Sequence, residues 1–146
     1  MMSLKSLKAR EDDLSSPQRQ LELLSEGIFE EGELPTFKDK IAESGHFPLK
    51  PKKLEILQLN LGYMCNQVCS HCHVDAGPDR KEIMTKETML LCLEVIKNTG
   101  AHTLDLTGGA PEMNPNFRWF VEEASKAGIK DFIVRSNLTI ILANKK

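Results

Sequence analysis

The run Leu54-Glu55-Ile56-Leu57-Gln58-Leu59-Asn60-Leu61, continued by Gly62-Tyr63-Met64-Cys65-Asn66-Gln67-Val68-Cys69-Ser70-His71-Cys72, decides how the chain folds. Its first part is an almost continuous apolar run broken by Glu55, Gln58 and Asn60, which suits a strand with much of both faces covered, as in a parallel sheet. Its second part reads as a loop. Gly62 and Gly77 bracket the polar residues Asn66, Gln67, Ser70 and His71, with no long apolar helix around them.

Downstream the pattern of strand, turn and helix repeats. Thr85 caps a helix through Met89, Leu90, Leu93, Val95, Ile96 and Lys97 that closes at Gly100. Thr103 to Thr107 is a second strand ending at Gly108 and Gly109. Asn114 and Pro115 start the next helix, with Phe117, Phe120, Val121 and Ala124 on its apolar stripe and Gly128 as its stop. Residues 132–142 supply a third strand, broken near Ser136 and Asn137. Strands alternating with helices of this size predict an α/β fold with a mostly parallel sheet and right-handed crossovers. Ligands in such folds bind beyond the carboxyl ends of the strands, where the cysteine loop and the glycine turn both fall. Three strands cannot close an eight-fold barrel, which needs about 250 residues. The expectation is therefore a partial (β/α) barrel, truncated or split after its third strand.

Upstream, residues 1–50 read as a helical leader and linker, and residues 51–146 as the main domain. Ser16 before Pro17 caps a stretch carrying Leu21, Leu23 and Leu24 up to Gly27. Thr36 caps a second stretch with Phe37, Ile41 and Ala42 up to Gly45. Both are too short to stand alone, since isolated helices below about 12–15 residues are marginal in water.

Composition excludes several classes. At 27% charged and 40% hydrophobic residues, the chain can bury a moderate core and is not disordered throughout. Nineteen Lys and Arg against twenty-one Asp and Glu leave a net charge of -2, which gives no field for gripping a phosphate backbone, so nucleic acid is not an expected partner. The longest apolar runs, residues 89–93 and 138–143, are far short of a membrane span, and the basic start is followed by Glu11, Asp12 and Asp13 rather than an apolar signal region. The expected compartment is the cytoplasm.

Cys65, Cys69 and Cys72 fall within eight residues while Cys92 stands alone, a pattern better suited to metal in a reducing compartment than to disulfides. Three readings stay open. The spacing i, i+4, i+7 is that of one buried stripe if the segment were helical. Zinc would need a fourth ligand beside the thiolates, such as His71 or His73, although zinc sites usually come as two paired knuckles. Three thiolates can also hold three irons of a 4Fe-4S cube, leaving the fourth iron open to a bound molecule.

The spacing CxxxCxxC after the first strand resembles that of the radical S-adenosylmethionine enzymes. Residues 57–64 (LQLNLGYM), 73–78 (HVDAGP), 107–112 (TGGAPE) and 135–139 (RSNLT) add to it. Together they resemble the radical S-adenosylmethionine/Cys-rich family linked to arsenosugar biosynthesis, over about residues 54–142. The resemblance implies a 4Fe-4S cluster ligated by Cys65, Cys69 and Cys72, with S-adenosylmethionine chelating the open iron through its amino and carboxylate groups. It implies reductive cleavage to a 5′-deoxyadenosyl radical, transfer of that group to a methylated arsenical, and an electron donor such as flavodoxin or ferredoxin. His71, in a place usually aromatic in the superfamily, would sit against the adenine.

Gly108 and Gly109 would allow close backbone approach to a ligand, their carbonyls accepting from the methionine ammonium. In the superfamily a carboxylate follows the glycine pair directly; here Ala110 stands there and Glu112 comes two residues later. Asn137 is a candidate to touch cofactor or substrate, against the plainer reading of a turn residue. Arg135 reads equally as a carboxylate partner or a surface residue, Asp75 and Asp79 as loop residues, Cys92 as core, and Phe117, Trp119 and Phe120 as packing. The rival function is a noncatalytic fragment holding zinc or iron–sulfur for structure or electron transfer.

Overall fold

A computed structural model describes residues 5–26 and 35–143. By packing they fall into two units, one formed by residues up to Asp12 together with those from Leu54 onward, the other within Asp13–Lys53.

In the smaller unit, α1 (Pro17–Glu26) starts at Ser16, whose Oγ accepts from the Arg19 amide at 3.4 Å. Gly27, its expected stop, lies outside the described residues. In α2 (Phe37–Glu43), Thr36 caps as predicted, its Oγ1 accepting from the Asp39 amide at 3.2 Å.

The larger unit holds β1 (Ile56–Asn60), α3 (Lys86–Thr99), β2 (Thr103–Thr107), α4 (Phe117–Lys126), β3 (Asp131–Val134) and α5 (Thr139–Ala143). The strands lie in chain order, β1-β2-β3, and both pairings are parallel: Leu57 sits opposite Leu104, which sits opposite Phe132. The chain is therefore α/β with a parallel sheet, as expected. Thr85 Oγ1 accepts from the Thr88 amide at 3.3 Å to open α3, and the Gly100 amide returns to Ile96 O at 3.0 Å to close it.

The core lies on one side of the sheet. Leu104 and Leu106 of β2 are fully buried against Met89, Leu93 and Ile96 of α3 and Phe120 and Ala124 of α4, with Leu57, Leu59 and Phe132 at the margin. Burying each of the Leu, Ile, Met and Phe side chains contributes roughly 1.5–3 kcal/mol. The expectation that β1 has both faces covered needs correction. Leu57 and Leu59 are half-buried while Ile56, Gln58 and Asn60 are exposed. Alternation along the strand turns one set toward the helices and the other toward a face no helix covers.

The predicted third strand over 132–142 is also corrected. β3 ends at Val134, and the chain turns into α5 because Leu138 takes a left-handed conformation (φ 62°) and Asn137 Oδ1 accepts from the Thr139 and Ile140 amides at 3.0 and 3.3 Å. The helix expected from Asn114 begins instead at Phe117, after a 3₁₀ turn at Pro111–Met113. No helix among the described residues is long and apolar enough to cross a membrane.

Candidate functional site

Between Leu61 and Met84 the chain forms a loop whose base is zipped shut. Met84 N donates to Leu61 O at 3.0 Å and Tyr63 N to Glu82 O at 2.8 Å, while Gly77 N donates to Tyr63 O at 3.1 Å and Cys65 N to Gly77 O at 3.2 Å. Residues 65–77 thus stand as a closed excursion at the carboxyl end of β1, with no helix in it, so the reading of the cysteines as a helical core stripe does not apply.

Cys65 is buried (6% exposed) in a small cluster with Ala76, Ala110 and Ile140, against which Cys72, Val74 and Met113 pack. Cys69 is exposed. Two of the sulfurs accept hydrogen bonds: Cys72 Sγ from the Ala76 amide at 3.3 Å and Cys65 Sγ from Asn137 Nδ2 at 3.4 Å. N–H donors of this kind orient and tune metal-ligating sulfur. Among the described residues no three His, Cys, Asp or Glu side chains stand gathered around a single metal-ion position. Cys92 is apart from the loop, half-buried in α3 against the main core, where burial pushes its thiol pKa up.

The glycine turn after β2 closes on this loop. A Cβ on Gly108 would lie 2.4 Å from Gly62 O, and one on Gly109 would lie 2.4 Å from Met64 O. The same approach allows Gly109 N to donate to Gly62 O and Ala110 N to Met64 O, each at 2.9 Å. Both glycines are therefore required by contact of chain with chain, just before Cys65.

Glu112 follows in the 3₁₀ turn, beside Met113 of the cysteine cluster. Its Oε2 is buried with no hydrogen-bond partner, the one such side-chain atom among the described residues. An unpaired buried acceptor costs about 1–3 kcal/mol, so the atom suits a cationic donor supplied by a ligand. His71 is exposed at the outer bend of the loop. Asn137 joins the third turn to the first: besides Cys65 Sγ, its Nδ2 reaches Asn66 Oδ1 at 2.8 Å, and Asn66 Nδ2 in turn reaches Thr139 Oγ1 at 3.0 Å.

Sequence reasoning missed three supports. Asn114, 4% exposed, donates from Nδ2 to Leu61 O at 3.0 Å and to Met84 O at 2.9 Å, holding both ends of the cysteine loop. Residues 6–8 clasp the far arm of the loop. The Leu7 and Lys8 amides donate to the Asp75 carboxylate at 2.6 and 3.0 Å, the Ser6 hydroxyl donates to Asp79 at 2.5 Å, and Lys8 Nζ meets Glu82. Arg80, itself 9% exposed, bridges Asp75 and Glu82 and lies 4.6 Å over the Tyr63 ring. The third support is on the uncovered sheet face, where buried Asp105, itself not singled out beforehand, is held by Gln58 and by Arg135, which takes the role of carboxylate partner that is one of its two readings. Those contacts hold its carboxyl below the usual range, the Arg135 hydrogen bond first.

No family model matches the chain. It is similar to proteins named "Probable GTP 3',8-cyclase". That of Saccharolobus islandicus is 31% identical over 86 residues, 59% of this chain and 28% of the relative. Those of Saccharolobus solfataricus and Sulfolobus acidocaldarius are 28% and 26% identical, with the same coverage. The chain thus spans under a third of the length of the curated relatives it matches. The names of these relatives support the radical S-adenosylmethionine superfamily and do not show the arsenosugar family.

Proposed function

We propose that Cys65, Cys69 and Cys72 hold a 4Fe-4S cluster, that S-adenosylmethionine binds beside it, and that the parallel sheet is the first part of a (β/α) barrel. The carrying observation is the meeting of three βα turns at one end of the sheet. The cysteine loop after β1, the glycine turn after β2 and Asn137 after β3 are joined there by hydrogen bonds. The donor set suits the group: three cysteines on one loop, two N–H donors to sulfur, and an unpartnered buried carboxylate oxygen on Glu112 suited to the methionine ammonium.

When bound and reduced, the cluster and S-adenosylmethionine supply one-electron cleavage of the sulfonium to methionine and a 5′-deoxyadenosyl radical. The chain's part is position and shelter. Asn137 and the Ala76 amide orient the Cys65 and Cys72 sulfurs, and Ala110 and Ile140 keep water from Cys65. Glu112 would receive the ammonium, the Gly108 and Gly109 carbonyls would serve beside it, and His71 would cover the adenine. A flavodoxin or ferredoxin in the cytoplasm supplies the electron.

For the acceptor, the resemblance carried by residues 57–64, 73–78, 107–112 and 135–139 to the arsenosugar family favours a methylated arsenical, giving 5′-deoxyadenosyl transfer in arsenosugar biosynthesis. The names of the relatives favour GTP as a second reading. Anaerobic reconstitution with iron and sulfide tests the core of the proposal. A brown protein that converts S-adenosylmethionine to methionine and 5′-deoxyadenosine when reduced is expected, with iron loading abolished by alanine at Cys65, Cys69 or Cys72 and kept by Cys92→Ala. A colourless protein binding one zinc tightly would establish the noncatalytic alternative, and equal iron loss in Cys92→Ala would overturn the ligand assignment. Product analysis with dimethylarsinate plus excess thiol, which reduces it to the trivalent species whose lone pair can take the 5′-deoxyadenosyl group with return of one electron, and separately with GTP, distinguishes the two readings.

A further inference from the structure

The sheet face that no helix covers carries Gln58 and Asn60 of β1 and Asp105 and Thr107 of β2, with Arg135 just beyond β3. Gln58, Asn60, Thr107 and Arg135, with His73 and Val74 from the cysteine loop, line a cavity of about 450 Å³. Val74 also packs on the cluster that contains Cys65 and Cys72, so the cavity adjoins the cysteine site.

Its lining is rich in hydrogen-bond donors. Asp105, bonded to two of the lining residues, has both its oxygens engaged: Oδ1 accepts from Arg135 Nε at 2.9 Å, and Oδ2 accepts from Arg135 Nη2 at 2.7 Å and from Gln58 Nε2 at 2.6 Å. That grip uses two of the five guanidinium N–H groups and fixes the plane of the head, leaving Nη1 and the second Nη2 hydrogen as an outer fork. The Arg135 side chain is 58% exposed, so the fork is reachable. Asn60 Oδ1 is taken by the Gly62 amide at 2.8 Å, which leaves its Nδ2 as a donor. Thr107 and His73 add a hydroxyl and a ring nitrogen. A fixed guanidinium fork among neutral donors is the arrangement that binds a tetrahedral oxyanion.

We propose that this cavity takes the oxyanion of the substrate, an arsinate or a phosphate, with Arg135 as its ionic anchor. The inference rests on the proposed function for the chemistry done beside it, and names the substrate class without choosing between the two acceptors.

The test is calorimetric titration of the full chain, before and after iron loading, with dimethylarsinate, inorganic phosphate and GTP. At least one of these should bind in both forms, and the one that binds most tightly identifies the source of the oxyanion. Arg135→Gln should weaken it at least about tenfold, as loss of a charge-assisted fork implies. Arg135→Lys should recover only part of that loss. Because Arg135→Gln leaves buried Asp105 without its ion partner, Thr107→Val is the second probe: near-isosteric, away from the ion pair, and expected to weaken binding by about two- to tenfold through one lost hydrogen bond. S-adenosylmethionine binding to the iron-loaded protein should change less than about twofold in either variant. No binding of any of the three anions, or affinity indifferent to both variants, overturns the proposal. An equal loss for S-adenosylmethionine would assign Arg135 to the cofactor and also overturn it. Failure of iron loading with anion binding intact would instead remove the cluster reading and leave the cavity standing.

Discussion

The Asn137 amide donates to Cys65 Sγ at 3.4 Å, joining residues 72 positions apart. The same side chain caps α5 through Oδ1, so one residue both starts a helix and touches a candidate ligand sulfur.

These roles can be separated. Asn137→Ala removes cap and donor together and should lower stability by about 1 kcal/mol, read from the urea midpoint. Asn137→Asp keeps an Oδ1 acceptor for the cap but turns a carboxylate oxygen toward Cys65 Sγ and Asn66 Oδ1. Iron and sulfide per chain after anaerobic reconstitution should therefore be lower for Asn137→Asp than for Asn137→Ala. Equal loading in the two would show that Asn137 does not act on the sulfur.

Asn114 is predicted to matter for stability through both ends of the cysteine loop. Its amide serves two backbone carbonyls from inside the protein, at Leu61 and Met84. Asn114→Ala strands both acceptors and should cost about 2–3 kcal/mol. Hydrogen exchange localises the effect: the Met84 amide, bonded to Leu61 O at 3.0 Å, should exchange faster relative to the α3 amides. An unchanged ratio would mean that Asn114 does not hold the loop ends.

What could be read in the residues beforehand follows the range of each interaction. The cap and stop of α3 were legible, because Thr85 and Gly100 act on amides and carbonyls three or four positions away. The cysteine loop was legible from its bracketing glycines. By contrast Asn114 finds a partner 53 positions away, Asp75 and Asp79 are held by residues 68 and 73 positions before them, and Arg135, legible as a carboxylate partner, meets across 30 positions an Asp105 that was not. Hydropathy carries no trace of such pairings, and a polar residue bound far along the chain looks like a loop residue. β1 misled for another reason: Leu54 to Leu61 is apolar enough for two covered faces, and only the placement of the helices on one side shows that Gln58 and Asn60 face away.

Gly109→Ala tests how tightly the glycine turn presses on the cysteine loop. The added Cβ meets backbone alone, with Met64 O at 2.4 Å, Met64 C at 2.9 Å and Tyr63 O at 3.0 Å, so no side chain can swing aside. Overpacking of this kind costs typically about 1–3 kcal/mol. Because Met64 precedes Cys65, the displacement passes to the first cysteine, and iron loading should fall with stability. Full loading at wild-type stability would place the loop further from the turn than the 2.9 Å bond from Ala110 N to Met64 O implies.

The clasp formed by residues 6–8 should give stability an acid limb. Hydrogen bonds from Lys8 first, and then Arg80, hold the Glu82 pKa at about 2, below its ordinary 4.5, and the Ser6 hydroxyl holds Asp79 below its ordinary 3.8. A carboxyl depressed in the folded state contributes stability that is complete above its unfolded pKa and is lost as pH falls toward the folded one. The Glu82 share is therefore whole at neutral pH and declines from about pH 4.5 to about pH 2. Glu82→Gln cannot titrate and should flatten that part of the curve, and Ser6→Ala should shrink the contribution of Asp79. Urea midpoints measured from about pH 6 to about pH 2.5 provide the check. Since the Glu82 side chain is 42% exposed, added salt should reduce the difference between wild type and Glu82→Gln. If both variants follow the wild-type curve at every pH, residues 6–8 do not hold the loop through these carboxylates.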